Sequence, residues 1–150
     1  MESDGGFRQL LRELLAGQKL AVLSTHHGGQ PYASLVAFAF SDDLASLYFV
    51  TPRTTRKFSN LQNDCRMALL ITSSANQETD FHEAMAVTVV GSAGEINDPE
   101  KETALNRYLE RHPYLEDFAR SPTCAFVKVN ARTYILVKNF QHVMELHIEP

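Results

Sequence analysis

The feature that most narrows the folds open to this chain is the segment from Leu20 to Phe40, where a strand-like pattern runs on both sides of a short polar turn. LAVLST leads into HHGGQP, and YASLVAFAF then alternates large Tyr32, Val36, Phe38 and Phe40 with small Ala33, Ala37 and Ala39. Side chains in a strand repeat every two residues, and so short a connection joins only antiparallel neighbours, so the segment predicts a β-hairpin. Large and small residues in alternation also suit the narrow, tapering interior of a small closed barrel.

The rest of the chain extends that reading. Ser41, Asp42 and Asp43 turn into a third strand, ASLYFV, and RMALLIT from Arg66 to Thr72 is a fourth. EAMAVTVVGSAGEI is the fifth and longest, with Gly91 and Gly94 marking a bulge or sharp bend. TCAFVKVNARTYILVKNF supplies one or two last strands around a turn at Asn130, and QHVMELHIEP stays unassigned.

Three helices fit between them. The first starts at a Ser3 or Asp4 cap, lays Phe7, Leu10, Leu11, Leu14 and Leu15 on one face, and ends at Gly17. A short helix from about Thr54 to Asn63 takes Thr54 or Thr55 as cap and buries Phe58 and Leu61. The last opens with Asp98 as cap and Pro99 at the first helical position, turns Leu105, Tyr108 and Leu109 inward, and stops before Pro113. The expected fold is mainly β: an antiparallel six-stranded barrel with flanking helices, in a single domain over residues 1–150.

Composition limits the partners. With 14 Lys and Arg against 18 Asp and Glu, the net charge is -4, so no overall field draws in nucleic acid or an acidic membrane, and an anion must be met locally. No basic segment precedes an apolar run at the N-terminus, and no stretch approaches the roughly 18 apolar residues of a membrane span. A soluble cytoplasmic protein is the expectation. Cys65 and Cys124 stand outside any CxxC pattern and are expected to be buried apolar residues. In extended chain the pairs His26–His27 and His142–His147 diverge, so no metal site is expected. Tyr32, Phe38, Tyr48 and Phe49 are read as core and not as a platform for stacked bases. Nucleophile-elbow, Walker and dinucleotide glycine motifs are absent.

Against that acidic background, FVTPRTTRKFSNL from Phe49 to Leu61 concentrates Arg53, Arg56 and Lys57. If the helical turn includes Arg53, the three share one face, beside the free N–H groups of a helix start and the hydroxyls of Thr51, Thr54 and Thr55. A solvated cationic face accounts for such a cluster. A phosphate site does too, with arginine holding two oxygens and lysine adding a point charge.

These residues resemble the FMN-binding split barrels related to pyridoxamine 5'-phosphate oxidase, and the resemblance runs from LAVLST to about NFQHV. A strand ending in an aliphatic residue and Thr leads through a tight turn to an Arg-Lys pair, an Asn and a Leu; here these are Val50, Thr51, Arg56, Lys57, Asn60 and Leu61. GQPYASLVAF matches the preceding family element. The resemblance implies an FMN-dependent oxidoreductase acting on a small molecule, a homodimer with its flavins between subunits. It further implies that Ser34, Leu35 and Val36 line the isoalloxazine, that Thr51 contacts the ribityl or phosphate end, and that Arg56 and Lys57 grip the phosphate. Arg53 joins them on spacing alone. Tyr134, Lys138 and Phe140 are placed at a partner's site. Where the pyridoxine enzymes carry basic residues at the ends of the second strand this chain has Ala33 and Phe38, and no Arg follows Arg132. The phosphate grip is therefore implied more firmly than the pyridoxamine phosphate substrate. Two other cofactors fit the same resemblance: a deazaflavin, or haem, since KFSNL looks similar to haem-using relatives and His142 is then an axial ligand.

Overall fold

A computed structural model describes residues 4–139 and 141–149, so Ser3 and Phe140 lie outside the described residues. The elements in order are α1 (Asp4–Gly17), β1 (Leu20–His27), β2 (Gln30–Ala37), β3 (Ala39–Phe40), β4 (Ser46–Pro52), α2 (Arg56–Asn63), β5 (Arg66–Thr72), α3 (Asp80–Glu83), β6 (Met85–Glu95), α4 (Glu100–Arg111), α5 (Glu116–Arg120), β7 (Cys124–Lys138) and β8 (His142–His147). A 3-10 turn, Pro113–Leu115, joins α4 to α5.

The strands form one antiparallel sheet in the order β2-β1-β5-β6-β7-β4-β3, with β8 added to β7. The predicted hairpin is there: His27 faces Gln30 across Gly28 and Gly29, whose φ values of 55° and 86° are those of a tight turn that matches strand twist. Eight strands replace the expected six, because the two-residue β3 separates from β2 and the terminal segment forms β8.

The turn expected at Asn130 does not occur. β7 runs through it for 15 residues, pairing β4 with its first half and β8 with its second. The irregularity is a bulge, where the register with β6 shifts between Val90 and Gly91. A Cβ on Gly91 would lie 2.1 Å from the Asn130 carbonyl oxygen, so the close approach needs glycine.

β2 and β3 occupy opposite ends of the sheet, yet only Phe38 separates them in sequence. The sheet must therefore curl until its edges meet. That seam is held by side chains: Tyr108 donates to the Ala37 carbonyl at 3.2 Å, Arg111 to the Phe38 carbonyl at 3.0 Å, and His112 Nε2 lies 2.6 Å from the same oxygen. Burial of His112 lowers its pKa, which favours the neutral ring donating from Nε2.

Two cores follow from the curl. Leu23, Phe49, Leu69, Val89, Val127 and Tyr134 fill the interior, with Phe7, Leu11, Leu14 and Leu15 of α1 packed into the same cluster. Tyr48, Val50 and Phe126 point the other way and meet Ala104, Leu105 and Tyr108 of α4. β4 is thus buried on both faces, and Phe38, Tyr48 and Phe49 are core, as expected. α4 starts at Glu100 and not at Pro99; Pro99 holds the cap position and Asp98 makes no capping bond. Cys124 is buried, but Cys65 is exposed in the link between α2 and β5. Among the described residues, no helix is long and apolar enough to cross a membrane.

Candidate functional site

α2 begins where β4 ends. Thr55 caps it, accepting from Phe58 N at 3.3 Å and donating to the Pro52 carbonyl at 2.9 Å. Thr51, buried at the end of β4, sets its hydroxyl 2.7 Å from that of Thr55. The helix itself offers no acceptor to the first-turn amides of Arg56 and Lys57, which carry the positive end of its dipole. Asn60, buried one turn on, donates to Thr25 Oγ1 at 3.1 Å and ties α2 to β1.

Arg56 and Lys57 form no ion pair among the described residues. Arg53 behaves differently. It precedes α2, pairs with Glu95 and donates to the Pro122 carbonyl at 2.8 Å, so it points toward the ends of β6 and β7. The three-residue basic face expected from spacing is therefore a two-residue one, because the helix starts after Thr55 and excludes Arg53.

Facing Thr54, Thr55, Arg56 and Ser59 across a cleft of about 880 Å³ are His27, Gln30 and Tyr32 of the hairpin. This second wall has no local signature, because only the β1–β2 register and the Asn60–Thr25 bond bring it opposite α2. His26 leaves the cleft and pairs with Asp64 at 3.1 Å. Arg66, bonded to Asp64 at 2.7 Å, holds that carboxyl well below the usual carboxylate range. Among the described residues, no group of three or more His, Cys, Asp or Glu is placed to hold a metal ion.

β2 divides its candidates between two faces. Val36 is buried in the interior, while Leu35 points outward and is 62% exposed. The Ser34 hydroxyl is buried with no hydrogen-bond partner among the described residues. Val50 lies in the second core, beneath α4. The side chains of Ser34, Leu35 and Val36 therefore cannot line one ring together; the backbone can. Phe38 N donates to the Lys19 carbonyl, and alternation along an antiparallel pair then turns the amides of Tyr32, Ser34 and Val36 toward β1. Those of Ala33 and Leu35 face the free edge.

On the outer face of the sheet, running inward from that edge, Val22 stands between Leu35 and Leu70 in neighbouring strands, and all three are exposed. Tyr134, expected at a partner's site, is buried in its own barrel, donating to the Leu44 carbonyl at 2.8 Å. Lys138 pairs with His142 at the end of β7 and is half-buried.

Residues 7–138 match the family model for pyridoxamine 5'-phosphate oxidase. No curated protein sequence matches the chain. Among solved structures, a heme binding protein from Mycobacterium smegmatis aligns with 98% of this chain at 15% identity and a TM-score of 0.84, the match spanning 59% of that protein. A Clostridium acetobutylicum protein related to general stress protein 26, of the pyridoxinephosphate oxidase family, aligns at 16% identity and a TM-score of 0.74, over 97% of both chains. A FAD-binding protein from Mesorhizobium loti aligns at 16% identity and a TM-score of 0.66, over 91% of this chain and 90% of that one. The likeness is one of fold: the antiparallel split barrel with flanking helices.

Proposed function

Because the chain belongs to the pyridoxamine 5'-phosphate oxidase family, we propose that it is an FMN-binding flavoprotein, a homodimeric oxidoreductase acting on a small molecule. The observation that carries this reading is the pair of cations, Arg56 and Lys57, that form no ion pair among the described residues and stand at the start of a helix whose own first two amides have no acceptor within the helix.

The residues fit the group. Arg56 offers a planar fork to two phosphate oxygens, Lys57 a point charge, and the Thr51–Thr55 hydroxyl pair stands beside them. The free edge of β2 offers N–H and C=O groups from Ala33 and Leu35 to the polar rim of a planar ring. When bound, the isoalloxazine supplies the electron transfer, and the protein supplies position, charge and shelter from water. The exposed row of Leu35, Val22 and Leu70 supports a second subunit packing over that edge, so that each flavin lies between subunits.

The reading stops short of pyridoxamine phosphate as substrate. The strand-end positions hold Ala33 and a fully buried Phe38, and no Arg follows Arg132. A deazaflavin would use the same phosphate grip. Haem handling on the same barrel is the second reading, favoured by the fold shared with the mycobacterial heme binding protein, with exposed His142 of β8 as its axial ligand.

The test is the visible absorption spectrum, taken as purified and again after incubation with FMN and desalting. A retained two-band flavin spectrum is the expected result. A Soret band overturns it in favour of haem, and a colourless protein after both treatments overturns the FMN reading and leaves the basic cluster as a solvated face or a site for another anion.

A further inference from the structure

We propose that Tyr32 is the positioning residue for the phosphate end of the cofactor: its ring fixes the Arg56 guanidinium while leaving the N–H donors of that group free for phosphate oxygens. The inference rests on the phosphate reading above and adds to it a residue from the opposite wall of the cleft.

The contact is a cation–π one. The guanidinium carbon of Arg56 lies 5.2 Å from the centroid of the Tyr32 ring, within the roughly 6 Å over which a cation is held by an aromatic face. Tyr32 is half-buried on β2 and Arg56 is the exposed first residue of α2, so the contact spans the cleft between hairpin and helix.

What sets Arg56 apart is unoccupied donors together with an aromatic contact; Arg8 and Arg132 also make no side-chain hydrogen bond or ion pair among the described residues, but neither lies over a ring there. Arg66 spends its donors on Asp64, Arg107 on Asp42 and the Phe40 carbonyl, and Arg111 on the carbonyls of Leu15, Gln18 and Phe38. Arg53 is taken by Glu95 and Pro122. The Arg56 side chain makes no hydrogen bond or ion pair among the described residues, and the Tyr32 ring is its one partner there.

Cation–π attraction acts on the charge of the guanidinium and supplies no oxygen acceptor, so the five N–H groups stay available to a phosphate. An aromatic neighbour therefore orients the fork without consuming a donor, which a carboxylate neighbour could not do. It also removes rotamer freedom before the ligand arrives, so less is lost on binding. Asn60, bonded to Thr25, ties the same two walls together and so helps to fix ring and guanidinium relative to each other. The phenol hydroxyl has no part in the argument, so phenylalanine serves as well as tyrosine.

The experiment titrates FMN and riboflavin, which lacks the phosphate, against the full-length protein and its Tyr32→Ala, Tyr32→Phe, Arg56→Ala and Tyr32→Ala/Arg56→Ala variants, with thermal melts alongside. Tyr32→Ala is expected to weaken FMN roughly 3- to 30-fold and leave riboflavin unchanged. Tyr32→Phe stays within about twofold of the unsubstituted protein on the same scale. In the Arg56→Ala background the Tyr32→Ala change has no further effect on FMN. Equal losses for both flavins, an undiminished Tyr32→Ala effect without Arg56, or loss in the conservative Tyr32→Phe variant would each overturn the proposal. An unsubstituted protein that binds FMN no better than riboflavin fails differently, since it removes the phosphate reading on which the proposal stands.

Discussion

Replacing Arg56 and Lys57 together by alanine tests the proposed phosphate grip separately from the fold that would present it. Hydrogen bonds to a charged group contribute roughly 1.5–3 kcal/mol each when desolvated. Arg56 is exposed and Lys57 half-buried, so solvent and salt screen both, and a combined loss nearer 2–4 kcal/mol is reasonable at physiological ionic strength. That corresponds to roughly 30- to 1,000-fold in FMN affinity. Among the described residues neither side chain forms an ion pair, Arg56 has only its exposed contact with the Tyr32 ring, the Thr55 cap remains, and alanine suits a helix, so the melting temperature should move little. Flavin fluorescence quenching on titration measures the affinity, and repeating it with riboflavin separates phosphate from ring. Because screened charges carry the effect, the unsubstituted protein should lose FMN affinity as salt rises, and the double variant should show a shallower dependence. Unchanged FMN affinity in the double variant, with the fold intact, would refute the assignment of the phosphate to this helix.

Three further perturbations test other parts of the reasoning. Gly91→Ala drives a Cβ into the Asn130 carbonyl, a backbone atom that cannot swing away, and should cost about 2–3 kcal/mol in thermal or denaturant unfolding, whereas Gly94→Ala, with open space around it, serves as the control. Val22→Asp places a charge between Leu35 and Leu70; if subunits meet on this face, light scattering after size exclusion should report a monomer where the unsubstituted protein gives a dimer. His112 has a lowered folded-state pKa, chiefly through burial, so the folded state favours the neutral ring. Its contribution is complete above the ordinary value of 6.5 and is lost as pH falls below it; melts between pH 8 and 5 should show that loss, and His112→Asn should flatten the slope in this window.

What could be read from the sequence was what neighbouring residues decide among themselves. α1 declares itself through Phe7, Leu11, Leu14 and Leu15, the hairpin through its two glycines, and α2 through Thr55 and the Phe58–Leu61 pair, all of them patterns a few residues long. The errors fall where a distant residue decides. Arg53 is drawn off by Glu95, 42 positions away, and nothing near Arg53 announces that partner. Asn130 has the look of a turn residue, but the strand carries on because Gly91 on β6 lets the two backbones come together. Val50 looked like part of the site and is core, because β4 has α4 on the face that period-two reasoning left open. Tyr32 was read as a core aromatic and is instead half-buried against Arg56 in the cleft, a contact that requires both the hairpin register and the seat of α2 to be known.

The seam of the barrel connects these observations. A fully bonded closure would pair β2 with the strands at the other end of the sheet and leave no edge. Here the ladder ends at β2, and Tyr108, Arg111 and His112 hold Ala37 and Phe38 in place instead. The consequence is a free strand edge, an exposed apolar row beside it, and a cationic helix start at one end of the same gap. Free edges invite further pairing, and exposed apolar rows invite cover. Pro31 blunts the edge near the turn, having no N–H to offer, but Ala33 and Leu35 remain open. A phosphorylated planar cofactor along that edge and a second subunit across the Val22 row would satisfy all three features together. A structural cation cluster alone accounts for one of them, which is why the flavin reading is preferred to a solvated charged face.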